Sequence, residues 1–207
     1  MLVGSCSGGA GLSAFEFFFS FYGLLLGLSV AEVAQGFSRT LRSRRRLRIG
    51  WLTPLLGVVV MLDISSFWVL AWLNFRDFQI NELALFFGLG IALAYYLAAS
   101  VVFPADLGEW TDLDDYYDGH KRWVVGGMAA ANVVAVGYSV GRAVAEGAGA
   151  PDLLPSAALL IFFFGMLGLI FAIRSRRANR WLLGVLLLAQ FFVAVIGGLT
   201  RIMGPTA

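Results

Sequence analysis

The chain has 207 residues, 59% of them hydrophobic and 14% charged, with a formal net charge of +2 and a mean hydropathy of +0.82. A soluble domain carries about 45–50% apolar and about 25% charged residues, so this composition excludes a soluble fold and points to a chain dissolved in lipid. At roughly 20 residues per bilayer helix, about six spans consume most of the chain and leave no room for a separate soluble domain.

Residues 1–13 are small, Gly/Ser-rich and free of basic side chains, and read as a short external tail. Cys6 is the single cysteine, which excludes an intramolecular disulfide and a thiolate metal cluster. The apolar runs then predict an all-α, polytopic transmembrane helix bundle with spans at 14–36, 51–73, 82–103, 123–145, 153–173 and 181–203, closed by an external tail at 204–207.

Between the first two spans Arg39, Arg42, Arg44, Arg45, Arg46 and Arg48 crowd into one turn, and Arg174, Arg176, Arg177 and Arg180 do the same between the last two. Basic residues are retained on the cytoplasmic side of short loops, so both turns read as cytoplasmic, which gives an N-out/C-out topology. By alternation the loop at 104–122 is cytoplasmic too. It gathers Asp106, Glu109, Asp112, Asp114, Asp115 and Asp118 before Lys121 and Arg122. Arg76, Arg142 and Arg201 remain for the outer side, and Trp51, Trp72, Trp110, Trp123 and Trp181 fall near span ends, where interfacial aromatics belong. Arg42-Ser43-Arg44-Arg45 is echoed by Arg174-Ser175-Arg176-Arg177. The echo fits a transporter repeat, or two cytoplasmic turns that favour arginine independently.

Polar groups at depth carry the functional signal, because a charged side chain at the bilayer centre costs on the order of 2.5–3.5 kcal/mol. Asp63 lies about twelve residues up the second span, roughly 18 Å at 1.5 Å per residue, near the midplane. Ser66 and Asn74 are expected on its face as a polar stripe toward the outside, and Asn132 and Gln190 reach similar depth on other spans. Asp63 then either accepts a proton or coordinates a cation, or serves helix packing through hydrogen bonds to Ser or Asn. Glu32, about one turn above the arginines, reads as an ion-pair anchor, with an inner gate as its functional alternative.

On the cytoplasmic face Arg42, Arg44, Arg45, Arg176 and Arg177 confront Asp114, Asp115 and Asp118. Either they meet as a salt-bridge collar, or the arginines bind anionic headgroups while the acids are solvated. Other motifs lose their chemistry in context. Gly137-Tyr138-Ser139-Val140-Gly141 spells G-x-S-x-G inside an apolar helix, where no nucleophile elbow forms, and His120 is the only histidine. Gly137 with Gly141, and Gly23 with Gly27, read instead as small-residue helix packing. Asp112 to Asp118 lacks the ligand alternation and closing Glu of a calcium loop. No enzyme activity, cofactor, metal or nucleic-acid partner is expected. Bound lipid, association into a homo-oligomer and a protein partner at the cytoplasmic face are.

Gly27 to Glu32 ahead of the arginine turn, Phe67-Trp68 in the second span, and Asp114-Asp115-Tyr116-Tyr117 leading to His120-Lys121-Arg122-Trp123 resemble a group of bacterial six-span integral membrane proteins of unassigned function. The resemblance implies a bacterial inner membrane location and carries no activity. Two functions follow from the residues: a channel or transporter for a small ion with Asp63 on its path, or a non-transporting sensor or accessory subunit docking a partner through its charged loops.

Overall fold

The computed structural model describes residues 14–75, 82–145, 147 and 149–203. It is all-helical: α1 (Ala14–Ser43), α2 (Leu52–Phe75), α3 (Glu82–Ser100), α4 (Leu113–Ala145), α5 (Ala150–Ala172) and α6 (Arg176–Met203), with a single 3-10 turn at Leu107–Glu109. Among the described residues the only β-type pairing is an isolated bridge between Arg48 and Asp112. Four helices, α1, α2, α4 and α6, are long and apolar enough to cross a membrane, and α3 and α5 carry shorter apolar stretches at Phe86–Ser100 and Ala157–Ala172.

The helices overrun two of the expected spans. α1 continues past Gly36 through Arg39 and Arg42, and α4 begins at Leu113 rather than near Trp123. The expected acidic loop is therefore mostly helix. Arginine and leucine are good helix formers, so the first helix has no reason to stop where polarity begins. At the start of α4, Asp112 acts as the cap: its Oδ1 accepts from the Asp114 amide at 2.8 Å, and Asp114 and Asp115 fill the first turn, where negative charge meets the positive end of the helix. The two arginine segments also differ. Arg42 and Ser43 close a helix that then turns, whereas Arg176 and Arg177 open one, so their likeness is one of composition.

α2 packs against α1, α4 and α6, while α4 also packs against α3 and α5 and α1 against α3. The core lies along these lines, with Leu26, Val59, Val60, Ile64, Val124, Met128, Ile170, Leu183 and Leu186 removed from solvent. Every helix shows an apolar outer face, including Leu24, Phe86, Trp123, Ile161 and Phe192. The small-residue pairs do not pack helices within the chain as expected. A methyl on Gly23 would press on Trp68 at 3.1 Å, but one on Gly27, Gly137 or Gly141 would meet open space, because those positions face outward.

The α1–α2, α3–α4 and α5–α6 connections are bound together at one end. Arg48 donates its amide to the Thr111 carbonyl at 3.0 Å and accepts from Leu113 at 3.2 Å, and the Thr53 hydroxyl donates to the Leu113 carbonyl at 2.8 Å. Asp114 Oδ1 accepts the Leu52 amide at 3.1 Å, giving one of the first free N–H groups of α2 a partner. This join requires Gly50, where a Cβ would stand 1.9 Å from Asp114 Oδ1. Beneath it Phe37 meets Phe103 edge-on at 4.9 Å, and Gly36 and Gly57 make room for them. Across the bundle, the buried Lys121 ammonium and the Asn179 amide both donate to the Ile173 carbonyl. They satisfy the carboxyl end of α5, where a cation is favoured.

Candidate functional site

Asp63 is held on α2 with only 4% of its surface exposed, and donors from three other helices converge on it. Tyr95 of α3 donates its hydroxyl to Oδ2 at 3.0 Å, and Asn132 of α4 donates Nδ2 to the same oxygen at 2.9 Å. Asn132 Nδ2 also lies 3.0 Å from the Tyr95 oxygen and 3.0 Å from the Met128 carbonyl one turn back, so the three side chains form a closed triangle anchored to the α4 backbone. From α6, Gln190 Nε2 reaches Oδ1 at 3.4 Å.

The two carboxylate oxygens are treated unequally. Oδ2 has two close donors, whereas Oδ1 has only the long Gln190 contact. The other atom of that amide, Gln190 Oε1, is buried without a hydrogen-bond partner. One side of the site thus holds two oxygens and a single stretched N–H between their groups. An ionised carboxylate only accepts, so the Oδ2 side is satisfied as it stands, and the Oδ1 side has acceptor capacity to spare. The spare acceptor capacity of Oδ1 suits a proton or a small cation held on that oxygen. A buried acceptor left without a donor otherwise costs about 1–3 kcal/mol. Phe67 lies against the Tyr95 ring at 5.4 Å and Tyr22 against Phe67 at 6.0 Å, an aromatic wall that fixes the phenol.

The structure thus brings Asp63, Asn132 and Gln190 together and adds Tyr95, which sequence reasoning missed. Tyr95 sits in an apolar span next to Tyr96, and only the helical phase separates the buried ring from the exposed one. A usable signal was present: a tyrosine hydroxyl buried at depth needs a polar partner, and Asp63 is the deep acid. The expected stripe fails at Ser66, which is exposed on the outside of α2. Three residues advance a helix by about 300°, so Ser66 rotates out of the interior and Phe67 takes the buried position. The side chain of Asn74 lies outside the described residues.

Glu32 is not among the groups that contact Asp63. It accepts from Arg39 Nη2, two turns on, at 3.5 Å, and both side chains are partly exposed. The charged collar forms only in part. Arg176 donates to Asp115 at 2.5 Å and to Asp118 at 2.6 Å, tying α6 to α4. Asp114 is instead spent on the α2 amide, and Arg42, Arg44, Arg45 and Arg177 stand exposed outside that pairing. The ring stays partial because α4 begins early: Asp114 falls on the helix face toward α2, and Asp115 and Asp118 on the face toward α6. His120 is engaged locally, stacked on Tyr116 at 4.0 Å with Nδ1 3.0 Å from the Tyr116 carbonyl. Among the described residues, no three His, Cys, Asp or Glu side chains gather as a metal site. Comparison with family models, with curated proteins and with solved structures finds no match for this chain.

Proposed function

We propose that this chain is a bacterial inner-membrane protein that crosses the bilayer six times with both termini outside, and that it is a channel or transporter carrying a small ion past Asp63. The helix lengths support six crossings: α3, the shortest at 19 residues, rises about 28 Å against a hydrocarbon layer of about 30 Å. The arginine turns favour the cytoplasm for the end that joins α1 to α2 and α5 to α6. One observation carries the transport reading. A deep carboxylate is reached by side chains from three other helices, while its Oδ1 receives only a long N–H from Gln190 and the carbonyl oxygen of that same amide is buried without a partner. Polar groups of this kind inside a membrane bundle are costly and mark ion or proton paths by default. Six helices with so few polar groups barely enclose a path, so the working form is a homo-oligomer.

The test is flux from proteoliposomes under imposed proton, potassium, sodium and chloride gradients. Wild-type protein is expected to move one of these ions. Asp63→Asn, nearly the same shape without the charge, is expected to lower that flux by at least about tenfold, since one lost charge-assisted contact of about 1.5–3 kcal/mol is worth that much. Unchanged flux in Asp63→Asn that elutes like the wild type would sink the idea.

A second reading is favoured by the near-complete enclosure of Asp63, which satisfies most of the acid without any ion. In it the triangle is a packing clamp, and the protein is a sensor or accessory subunit that docks a partner through its charged cytoplasmic end. Silence under every gradient, together with a partner recovered at fixed stoichiometry, decides for it.

A further inference from the structure

The Arg176 pairing leaves an imbalance at the charged end. Arg42, Arg44, Arg45 and Arg46 are exposed, and none is among the described ion pairs. They sit on a turn that is held by its own backbone and by the neighbouring connection. Its backbone closes through the Arg46 and Leu47 amides onto the Ser43 carbonyl at 2.9 and 3.1 Å. Leu47 is buried as a plug, and Arg48 is paired to Thr111. Four like charges held on a pinned turn repel one another unless an anion sits among them. The turn also ends a helix whose last carbonyls favour cations, which explains how the cluster is tolerated in the fold but leaves its outward field unanswered.

The surroundings of the turn say what kind of anion fits. Leu41 is 61% exposed directly before it, and Trp51, five residues after Arg46, is 68% exposed. Exposed tryptophans recur at the same end, each close behind an arginine: Trp123 follows Arg122, and Trp181 follows Arg180. Tryptophan at a span end takes the headgroup level of a bilayer, and arginine one step beyond it takes the phosphate level. A free phosphate or an acidic peptide would use the guanidinium groups and leave Leu41 and Trp51 uncovered. A ligand with an anionic head and an apolar tail uses both.

We infer that the Arg42–Arg46 turn, flanked by Leu41 and Trp51, is a binding surface for an anionic phospholipid of the surrounding leaflet, with the phosphate among the guanidinium groups and an acyl chain along the flanking side chains. The inference rests on the membrane-spanning reading and is independent of ion transport. Because the turn is pinned before lipid arrives, little ordering is left for binding to bring about. Each arginine near the surface contributes about fivefold to the attraction.

The experiment is lipid retention by full-length protein in nanodiscs made from equal amounts of phosphatidylglycerol and phosphatidylcholine, read by native mass spectrometry after release into mild detergent. Phosphatidylglycerol is expected to be enriched by about tenfold or more among retained lipids, and the variant R42Q/R44Q/R45Q/R46Q to retain the two within about twofold of each other. Equal retention by the wild type overturns the inference, as does undiminished enrichment in the variant. Displacement of the lipid by inorganic phosphate alone also overturns it, by assigning the turn to a free oxyanion. Should the variant fail to insert, wild type at about 1 M salt is expected to lose the enrichment, since charges are then screened within about 3 Å, and persistence overturns the proposal. Failure of the membrane reading has a separate signature: the protein would be recovered without detergent and would not enter nanodiscs.

Discussion

Two carboxylates at different heights along α2, one at its start and one eleven residues on, do different work with the same functional group. Asp114 accepts a backbone amide of α2, and the contact is so close that Gly50 has no room for a methyl group. Asp63 accepts only from side chains, and those come from three separate helices. A backbone donor cannot swing away without unwinding the helix that carries it. A side-chain donor such as the Gln190 amide, held only by a 3.4 Å contact, can change rotamer while the helices stay in place. Asp114 is therefore a staple, whereas the Asp63 cluster is closed by side chains alone, which is what the proposed ion path would require.

That contrast breaks most sharply at Gly50. Gly50→Ala forces a Cβ against the Asp114 carboxylate, and overpacking of this kind is expected to cost roughly 3 kcal/mol, read as a lowered unfolding midpoint in detergent. A Gly50→Ala protein of wild-type stability would show that the staple is slack. Tyr95→Phe probes the other region. It removes one donor and leaves the ring in its aromatic wall, so stability is expected to fall by only about 1 kcal/mol while flux changes by about tenfold. A large stability loss with unaltered flux would make the Asp63 cluster a second staple. The smallest effect belongs to Arg176→Gln. Its pairs with Asp115 and Asp118 are substantially exposed, so about 1 kcal/mol or less is expected, shrinking further as salt rises.

What was legible in the sequence follows from how far each force acts along the chain. Apolar runs of bilayer length declare helices locally, and the arginine turns between them declare a common end. Asp63, Asn132 and Gln190 were legible because burying a polar group is costly enough that deep ones seek each other. Tyr95 was not, since a tyrosine in an apolar span is equally at home packing its ring. Ser66 misled because sharing a face requires a phase accurate to a few tens of degrees, and a three-residue step falls about 60° short of a turn. The collar was legible only as one of two alternatives, for another reason: opposite charges in facing loops do not say which helix faces bear them, and the early start of α4 gave Asp114 a backbone partner.

The reach of the Asp63 cluster along the chain also sets a schedule for biogenesis. Gln190 lies 127 residues beyond Asp63, which at a translation speed of about 5–20 residues per second is roughly 6 to 25 seconds of synthesis. Throughout that interval the nascent second helix carries its acid without its last donor, and only the emergence of α6 completes the set. A ribosome that stalls or a protease that clips before the sixth helix thus leaves a product marked by an under-coordinated carboxylate in its interior, and the final helix acts as the certificate that the chain was finished.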